Sequence, residues 1–145
     1  MFGYKSHLTI DRRHGLIRTW SVTDAAAHDS RSLPDRLDTE NTASSVSADT
    51  AYRTQRNREA LQRRSLRARI QFRRPPRRRL SGSRARANAA RAKVRSASEH
   101  VWARQKHRRA LFVRTIGRAR VKIGLANLAY NFTRLMGLDT QGAPA

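Results

Sequence analysis

The sequence predicts an α/β fold, a mixed sheet covered by helices. Three observations carry that expectation. Residues 3–10 and 15–23 are runs rich in β-branched and aromatic side chains, joined by the polar turn Asp11-Arg12-Arg13-His14-Gly15, which reads as an antiparallel hairpin. Residues 66–72 alternate, with Leu66, Ala68, Ile70 and Phe72 on one face and Arg67, Arg69 and Gln71 on the other, a period-2 strand. Two long stretches, 85–111 and 118–136, have helical composition without Pro, and the second carries an apolar stripe at helical spacing.

The remaining elements fall between these. Ala25 to Asp38 reads as a short helix or helical loop, with Pro34 marking a boundary. Asn41 to Ser45 is a turn cluster, and Val46-Ser47-Ala48-Asp49 is a short strand ending in a carboxylate. Residues 53–64 are helix formers around Ala60 and Leu61. Residues 73–83 hold Pro75-Pro76, Gly82 and five arginines, Arg73, Arg74, Arg77, Arg78 and Arg79, so they are expected to form a basic loop. The stripe Leu125, Leu128, Ala129, Phe132, Leu135 and Met136 is expected to face the core, with Gly137 as helix cap and a disordered tail over 139–145.

Charge divides the chain. The net charge is +22 over 145 residues, yet residues 1–52 are close to neutral and residues 53–145 carry 26 basic against 3 acidic groups. So much charge of one sign repels itself unless a polyanion neutralises it, and nucleic acid is the expected partner. The loop 73–79 is placed on the DNA backbone, a contact blind to sequence. There is no Cys, which excludes disulfides, thiolate metal sites and a thiol nucleophile. No apolar run approaches a membrane span and no secretory signal is visible, so the chain is expected to be soluble, cytoplasmic and associated with the nucleoid.

Two carboxylates stand out. Between Glu59 and Asp139 the only acidic residue is Glu99, in a segment with 23 basic side chains. On a helix Arg95, Trp102 and Lys106 share its face, at i−4, i+3 and i+7. A surface ion pair with Arg95 and a metal ligand flanked by phosphate-binding bases are both compatible with that spacing. Asp49 ends a strand and precedes a polar helix; such a residue is more often a turn or cap group, but the carboxyl end of a strand is also where α/β folds bind ligands. His100 and His107 share a helix face without a third ligand, so a metal pair there is not expected. Trp20 is expected in the core. No G-x-S-x-G or Gly-rich phosphate loop is present.

Three blocks in order resemble a known family: GYKSHLTIDRRHGLIRTWSVTDAAAHD (3–29), NTASSVSADTAYR (41–53), and VRSASEHVWARQK with LFVRTIGRARVKIGLANLAYNFTRL towards the end. They look like bacterial insertion-sequence transposases of the DDE class, of the insertion-sequence-five type, which have a ribonuclease-H-like core. That family's second acidic residue sits in a Gly/Ala-Asp-x-x-Tyr context, matched by Ala48-Asp49-Thr50-Ala51-Tyr52. Its third lies in a signature of Tyr, two residues, Arg, three residues, Glu, six residues, Lys. Arg95, Glu99 and Lys106 match it, and Ala92 stands where the Tyr would be.

The resemblance implies a partial catalytic domain over 1–138, with hairpin 3–23, the Asp49 strand, loop 73–83, the Glu99 helix and a last helix over 118–136. It implies Asp49 and Glu99 as ligands of Mg²⁺, with Mn²⁺ as a substitute, and Arg95 and Lys106 as phosphate contacts. In such sites two ions about 3.5–4 Å apart stabilise the attacking and leaving oxygens of phosphodiester displacement. The reactions implied are hydrolysis and strand transfer at transposon ends, with those ends and target DNA as partners. The family's first Asp precedes the GYK block, on the first strand of the sheet, so the chain is expected to lack that strand. It is expected to be inactive alone and to need an upstream fragment or a second copy. The alternative is a non-catalytic basic nucleic-acid-binding protein.

Overall fold

The computed structural model describes residues 3–38, 45–108 and 115–140; the turn cluster up to residue 44, the tail from 141 and the side chains of residues 97, 98, 102 and 104–108, with Trp102, Lys106 and His107 among them, lie outside the described residues. The chain divides into two compact units, residues 1–27 with 97–145, and residues 28–96. Each holds a two-stranded sheet, so the described residues form two small sheets where one mixed sheet was expected. The class is α/β, with helices accounting for most of the second half.

In the first unit, β1 (Tyr4–Ile10) and β2 (Ile17–Asp24) pair antiparallel, from Tyr4 opposite Asp24 to Ile10 opposite Ile17, with an irregularity at Thr9/Ile10. The Thr9 and Thr19 hydroxyls meet across the pair at 2.6 Å. The connecting turn closes through Asp11 N–H to the Leu16 carbonyl (2.8 Å) and Gly15 N–H to the Asp11 carbonyl (2.9 Å). Gly15 stands at φ +72°, a left-handed conformation that a side chain would strain. The Asp11 carboxylate accepts the backbone N–H groups of Arg13 (3.0 Å) and His14 (3.1 Å) and touches His14 Nδ1 at 2.6 Å. Burial alone would raise the Asp11 pKa, but these hydrogen bonds and the His14 charge outweigh it and hold it below the ordinary value of 3.8.

A helix of this unit packs on the hairpin. It runs Ile116–Thr140, through Gly137, so Gly137 is no cap and the helix enters the expected tail. Ala119 and Ile123 bury against Val22, with Tyr4 and Ile116 at the margin. Asn131 pairs with both backbone groups of Ile17: its Oδ1 accepts the N–H (2.8 Å) and its Nδ2 donates to the carbonyl (2.9 Å). Tyr130 Oη donates to the Gly15 carbonyl (3.1 Å) and Arg134 Nε to that of His14 (2.7 Å). Trp20, 38% exposed rather than in the core, lies against Gly124, where a Cβ would come within 2.8 Å of the indole.

The expected core stripe of this helix is outside. Leu125 is 59% exposed, Phe132 59% and Met136 70%, with Leu128 and Leu135 also exposed. The hairpin is met instead by Ala119 and Ile123 at Val22 and by Asn131 at Ile17, and Ala126 and Asn127 are buried on the same stripe of smaller and polar residues. The physical reason is closeness: small side chains let the helix reach the hairpin backbone that Asn131, Tyr130 and Arg134 grip.

In the second unit, β3 (Ser45–Ala48) pairs parallel with β4 (Arg67–Ile70), from Ser45 opposite Arg67 to Ala48 opposite Ile70. A parallel pair needs a crossover, supplied by α1 (Gln55–Arg63). Thr54 caps α1 by accepting Asn57 N–H at 3.2 Å. Leu33, Leu37, Leu61 and Ile70 form the core, with Val46, Ala48, Tyr52 and Leu66 packed on it. The 25–38 segment makes two short 3₁₀ turns, Asp29–Ser32 and Pro34–Arg36. Buried Arg36 is satisfied by the Ser32 carbonyl (2.9 Å), the Ser32 hydroxyl (2.9 Å) and the Tyr52 hydroxyl (3.4 Å). The long helix α2 (Gly82–Arg108) follows the basic loop, and the C-terminal helix Ile116–Thr140 is α3.

Two outcomes are expected. Asn131→Ala leaves the Ile17 N–H and carbonyl without their partner and should cost about 1–3 kcal/mol. The check is thermal unfolding, and an unchanged melting temperature refutes the grip. Because the Asp11 pKa is lowered on folding, its contribution is full above the ordinary carboxylate value and is lost as pH falls through the folded one. Urea midpoints measured from neutral to acidic pH should therefore fall less steeply in Asp11→Asn than in the parent.

Candidate functional site

The second unit presents its chemistry at the carboxyl end of the parallel strands. Gln71 N–H donates to the Ala48 carbonyl (3.1 Å), extending the pairing by one residue, so Asp49 and Gln71 leave the sheet side by side. Asp49 then caps the 3₁₀ turn Thr50–Tyr52, its Oδ1 accepting Ala51 N–H at 2.8 Å. Its Oδ2 lies 4.0 Å from Arg95 Nη1, and the same Nη1 donates to Gln71 Oε1 at 3.2 Å. The two side chains are 42% and 36% exposed, so this is a solvent-screened pairing. Tyr52 of the Asp-x-x-Tyr motif sits on the core and anchors the turn that carries Asp49.

The structure thus brings together Asp49 and Arg95, both predicted. Asp49 is also a cap group, which is the commoner reading of a strand-end Asp. Glu99 is exposed on α2, one turn beyond Arg95, in the unit formed by residues 1–27 and 97–145. The Lys106 side chain lies outside the described residues. Among the described residues no group of three or more His, Cys, Asp or Glu side chains could hold a metal ion. Asp49 Oδ2 is nevertheless a hard, accessible oxygen of the kind Mg²⁺ takes.

The five loop arginines Arg73, Arg74, Arg77, Arg78 and Arg79 are all exposed. Their loop turns at Pro75–Arg78, with Arg78 N–H reaching the Pro75 carbonyl (3.5 Å) and Arg77 at φ +56°. Arg74 Nε donates to the Arg78 carbonyl (3.2 Å), which ties the loop to itself. With Pro75 and Pro76 fixed in φ, the arginines are displayed from a constrained turn.

The alternation over 66–72 put Phe72 within the strand, on the face of Ala68 and Ile70. In the structure it lies beyond the strand, half-buried, with Arg53, Arg91 and Arg84 over its ring at 4.1, 4.6 and 5.4 Å from the centroid. Asn88 of α2 holds its backbone, Oδ1 accepting the N–H (2.8 Å) and Nδ2 donating to the carbonyl (3.0 Å). Burial first, and then the charges of Arg91, Arg58 and Arg84, pull the Arg53 pKa below the usual guanidinium value. A signal for this cluster was available: Arg84, Asn88, Arg91 and Arg95 recur at i, i+4, i+7 and i+11, one face of α2.

A mixed α/β chain with an acidic strand end set among arginines has the chemistry to meet a polyanion. More specifically, the family described as the transposase DDE domain matches residues 1–132, and the chain belongs to that family. Comparisons with curated proteins and with solved structures give no match. The family's chemistry is of the nuclease and transposase type, acts on DNA, and generally uses divalent metal ions. No helix among the described residues is long and apolar enough to cross a membrane.

The display of exposed arginines predicts tight duplex binding with little sequence preference. If about 6 phosphates are neutralised, log affinity should fall against log salt with a slope near −5. A fluorescence titration across a salt series checks this, and a flat response contradicts it.

Proposed function

We propose that the chain provides the catalytic surface of an insertion-sequence-five type transposase with a ribonuclease-H-like core spanning about residues 1–138. Its task is metal-dependent hydrolysis and strand transfer at transposon ends, carried out on the nucleoid in the cytoplasm. The observation that carries the reading is Asp49 at the carboxyl end of a parallel strand, in its Ala-Asp-x-x-Tyr context, with Arg95 facing one oxygen.

In this reading Asp49 and Glu99 hold Mg²⁺, or Mn²⁺ in its place. The ion, when bound, acts as a Lewis acid on a phosphodiester oxygen. Asp49 would offer Oδ2, since Oδ1 is committed to the Ala51 N–H. The Thr50–Tyr52 turn fixes the direction in which that oxygen points. Arg95, braced by Gln71, exchanges its long contact with Asp49 for a phosphate oxygen when DNA arrives. Lys106 and the loop arginines at 73, 74 and 77–79 hold flanking phosphates. The protein partner is an upstream transposase fragment carrying the family's first Asp, or a second copy.

A second reading, a non-catalytic basic nucleic-acid-binding protein, is favoured by one observation: Asp49 caps a turn through Oδ1 and faces Arg95 at 4.0 Å through Oδ2, contacts that a purely structural carboxylate also makes. Cleavage separates the two, because both predict binding. The assay combines the chain with a fragment carrying the family's first Asp, a transposon-end duplex and Mg²⁺. Nicking is expected, and Asp49→Asn or Glu99→Gln should each reduce it by about 100-fold or more while leaving duplex affinity in place. Nicking that survives both substitutions rejects the site, and no nicking under any combination favours the binding protein.

A further inference from the structure

Three cations around one ring pose an electrostatic problem. Arg53, Arg91 and Arg84 all lie over the ring of Phe72, and a ring has two faces, so at least two of them share one. Arg53 Nη1 and Arg91 Nη1 also converge on one acceptor, the Ile70 carbonyl, at 2.9 and 2.8 Å. Two unit charges are thereby held side by side on a single neutral oxygen. A ring quadrupole attracts each cation but cancels none of the charge between them. Among the described residues no carboxylate pairs with any of the three, whereas Arg95, the next member of the same α2 stripe, faces Asp49.

The positions are built rather than incidental. Asn88 clamps both backbone groups of Phe72, and the residue before it in the pattern, Arg84, and the one after, Arg91, are set by the same helix face. Arg53 reaches in from the segment before α1, and like Arg91 it is half-buried. Each guanidinium keeps donors beyond those spent on Ile70, in the planar fork that matches a tetrahedral oxyanion. Arg53's pKa is lowered, by burial first and then by the charges of Arg91, Arg58 and Arg84.

We propose that Arg53, Arg84 and Arg91 around Phe72 form a phosphate-binding site that takes a backbone phosphate of a DNA strand. Three guanidiniums lie over the Phe72 ring, so in this proposal Phe72 acts as a platform for the cations. Recognition there is consequently independent of sequence. The site lies on the α2 face that continues to Arg95, and so places a strand on the approach to Asp49. This rests on DNA as the partner, and adds to it a defined anchoring point outside the Asp49, Glu99, Arg95 and Lys106 set.

The test uses the full chain and Arg84→Gln, because the only contact described for Arg84 is with the Phe72 ring, so the fold should not depend on it. Arg67→Gln, an exposed change on β4, removes equal charge elsewhere in the same unit. Matched thermal melts establish that both variants are folded. Binding of a mixed-sequence duplex is then followed across a salt series. Arg84→Gln should flatten the salt slope by about 1, uniformly across duplex sequences, and Arg67→Gln should leave it close to the parent. In parallel, inorganic pyrophosphate should raise the melting temperature of the parent and of Arg67→Gln but not of Arg84→Gln.

Equal behaviour of the two variants in both arms overturns the site while leaving DNA binding intact. No duplex binding by the parent overturns the functional reading. In that event a pyrophosphate effect lost in Arg84→Gln keeps the phosphate site but overturns its assignment to DNA, and no pyrophosphate effect overturns the site itself.

Discussion

Both units depend on the same interaction, an asparagine amide that pairs with the two backbone groups of one residue. Asn131 does so with Ile17 at the start of β2, and Asn88 with Phe72 just beyond β4. The amide offers a donor and an acceptor at the separation of a peptide group, so it substitutes for a neighbouring strand. The substitution matters here because each sheet has two strands among the described residues, and a two-stranded sheet is marginal in water without a packed helix. The amide fixes that helix to the chain at one residue, and the apolar contacts of Val22 with Ala119 and Ile123 then fall into place. At Phe72 the same device positions the ring on which three arginines rest.

The local elements were legible because their signals are local. Alternation marks β4, the polar turn ending in Gly15 marks the hairpin, and Pro75-Pro76 keeps the basic loop out of regular structure. Pairing between elements was less legible. Beyond the hairpin, the sequence carries no sign of which strand neighbours which, and the expected single sheet is two pairs among the described residues. The face of α3 was misread for a physical reason. Both of its stripes have helical period, and the larger side chains of Leu125 and Phe132 suggested a core; the hairpin instead required small residues and Asn131. Phe72 was misread in the same way, since alternation continues through it although the strand ends at Ile70.

For the site, residue type and spacing located Asp49 and Arg95 but could not show that they meet. Nor did charge counting distinguish one arginine from another among so many. What singles out Arg53, Arg84 and Arg91 is convergence on a ring and on a carbonyl from separate segments, which only the fold supplies. Family membership adds the chemistry, and the geometry shows that Asp49 Oδ1 is committed to a turn while Oδ2 is not hydrogen-bonded within it.

The outward stripe of α3 makes colloidal behaviour a balance between two opposing ranges of force. Leu125, Phe132 and Met136 present sticky surface at contact distance, while a net charge of +22 keeps neighbouring molecules apart over a screening length of about 10 Å at moderate salt. Added salt shortens the repulsion without weakening the apolar attraction. The same arginines that bind a polyanion therefore also act as the molecule's dispersant, and a polyanion that cancels their charge removes the dispersing force at the moment of binding.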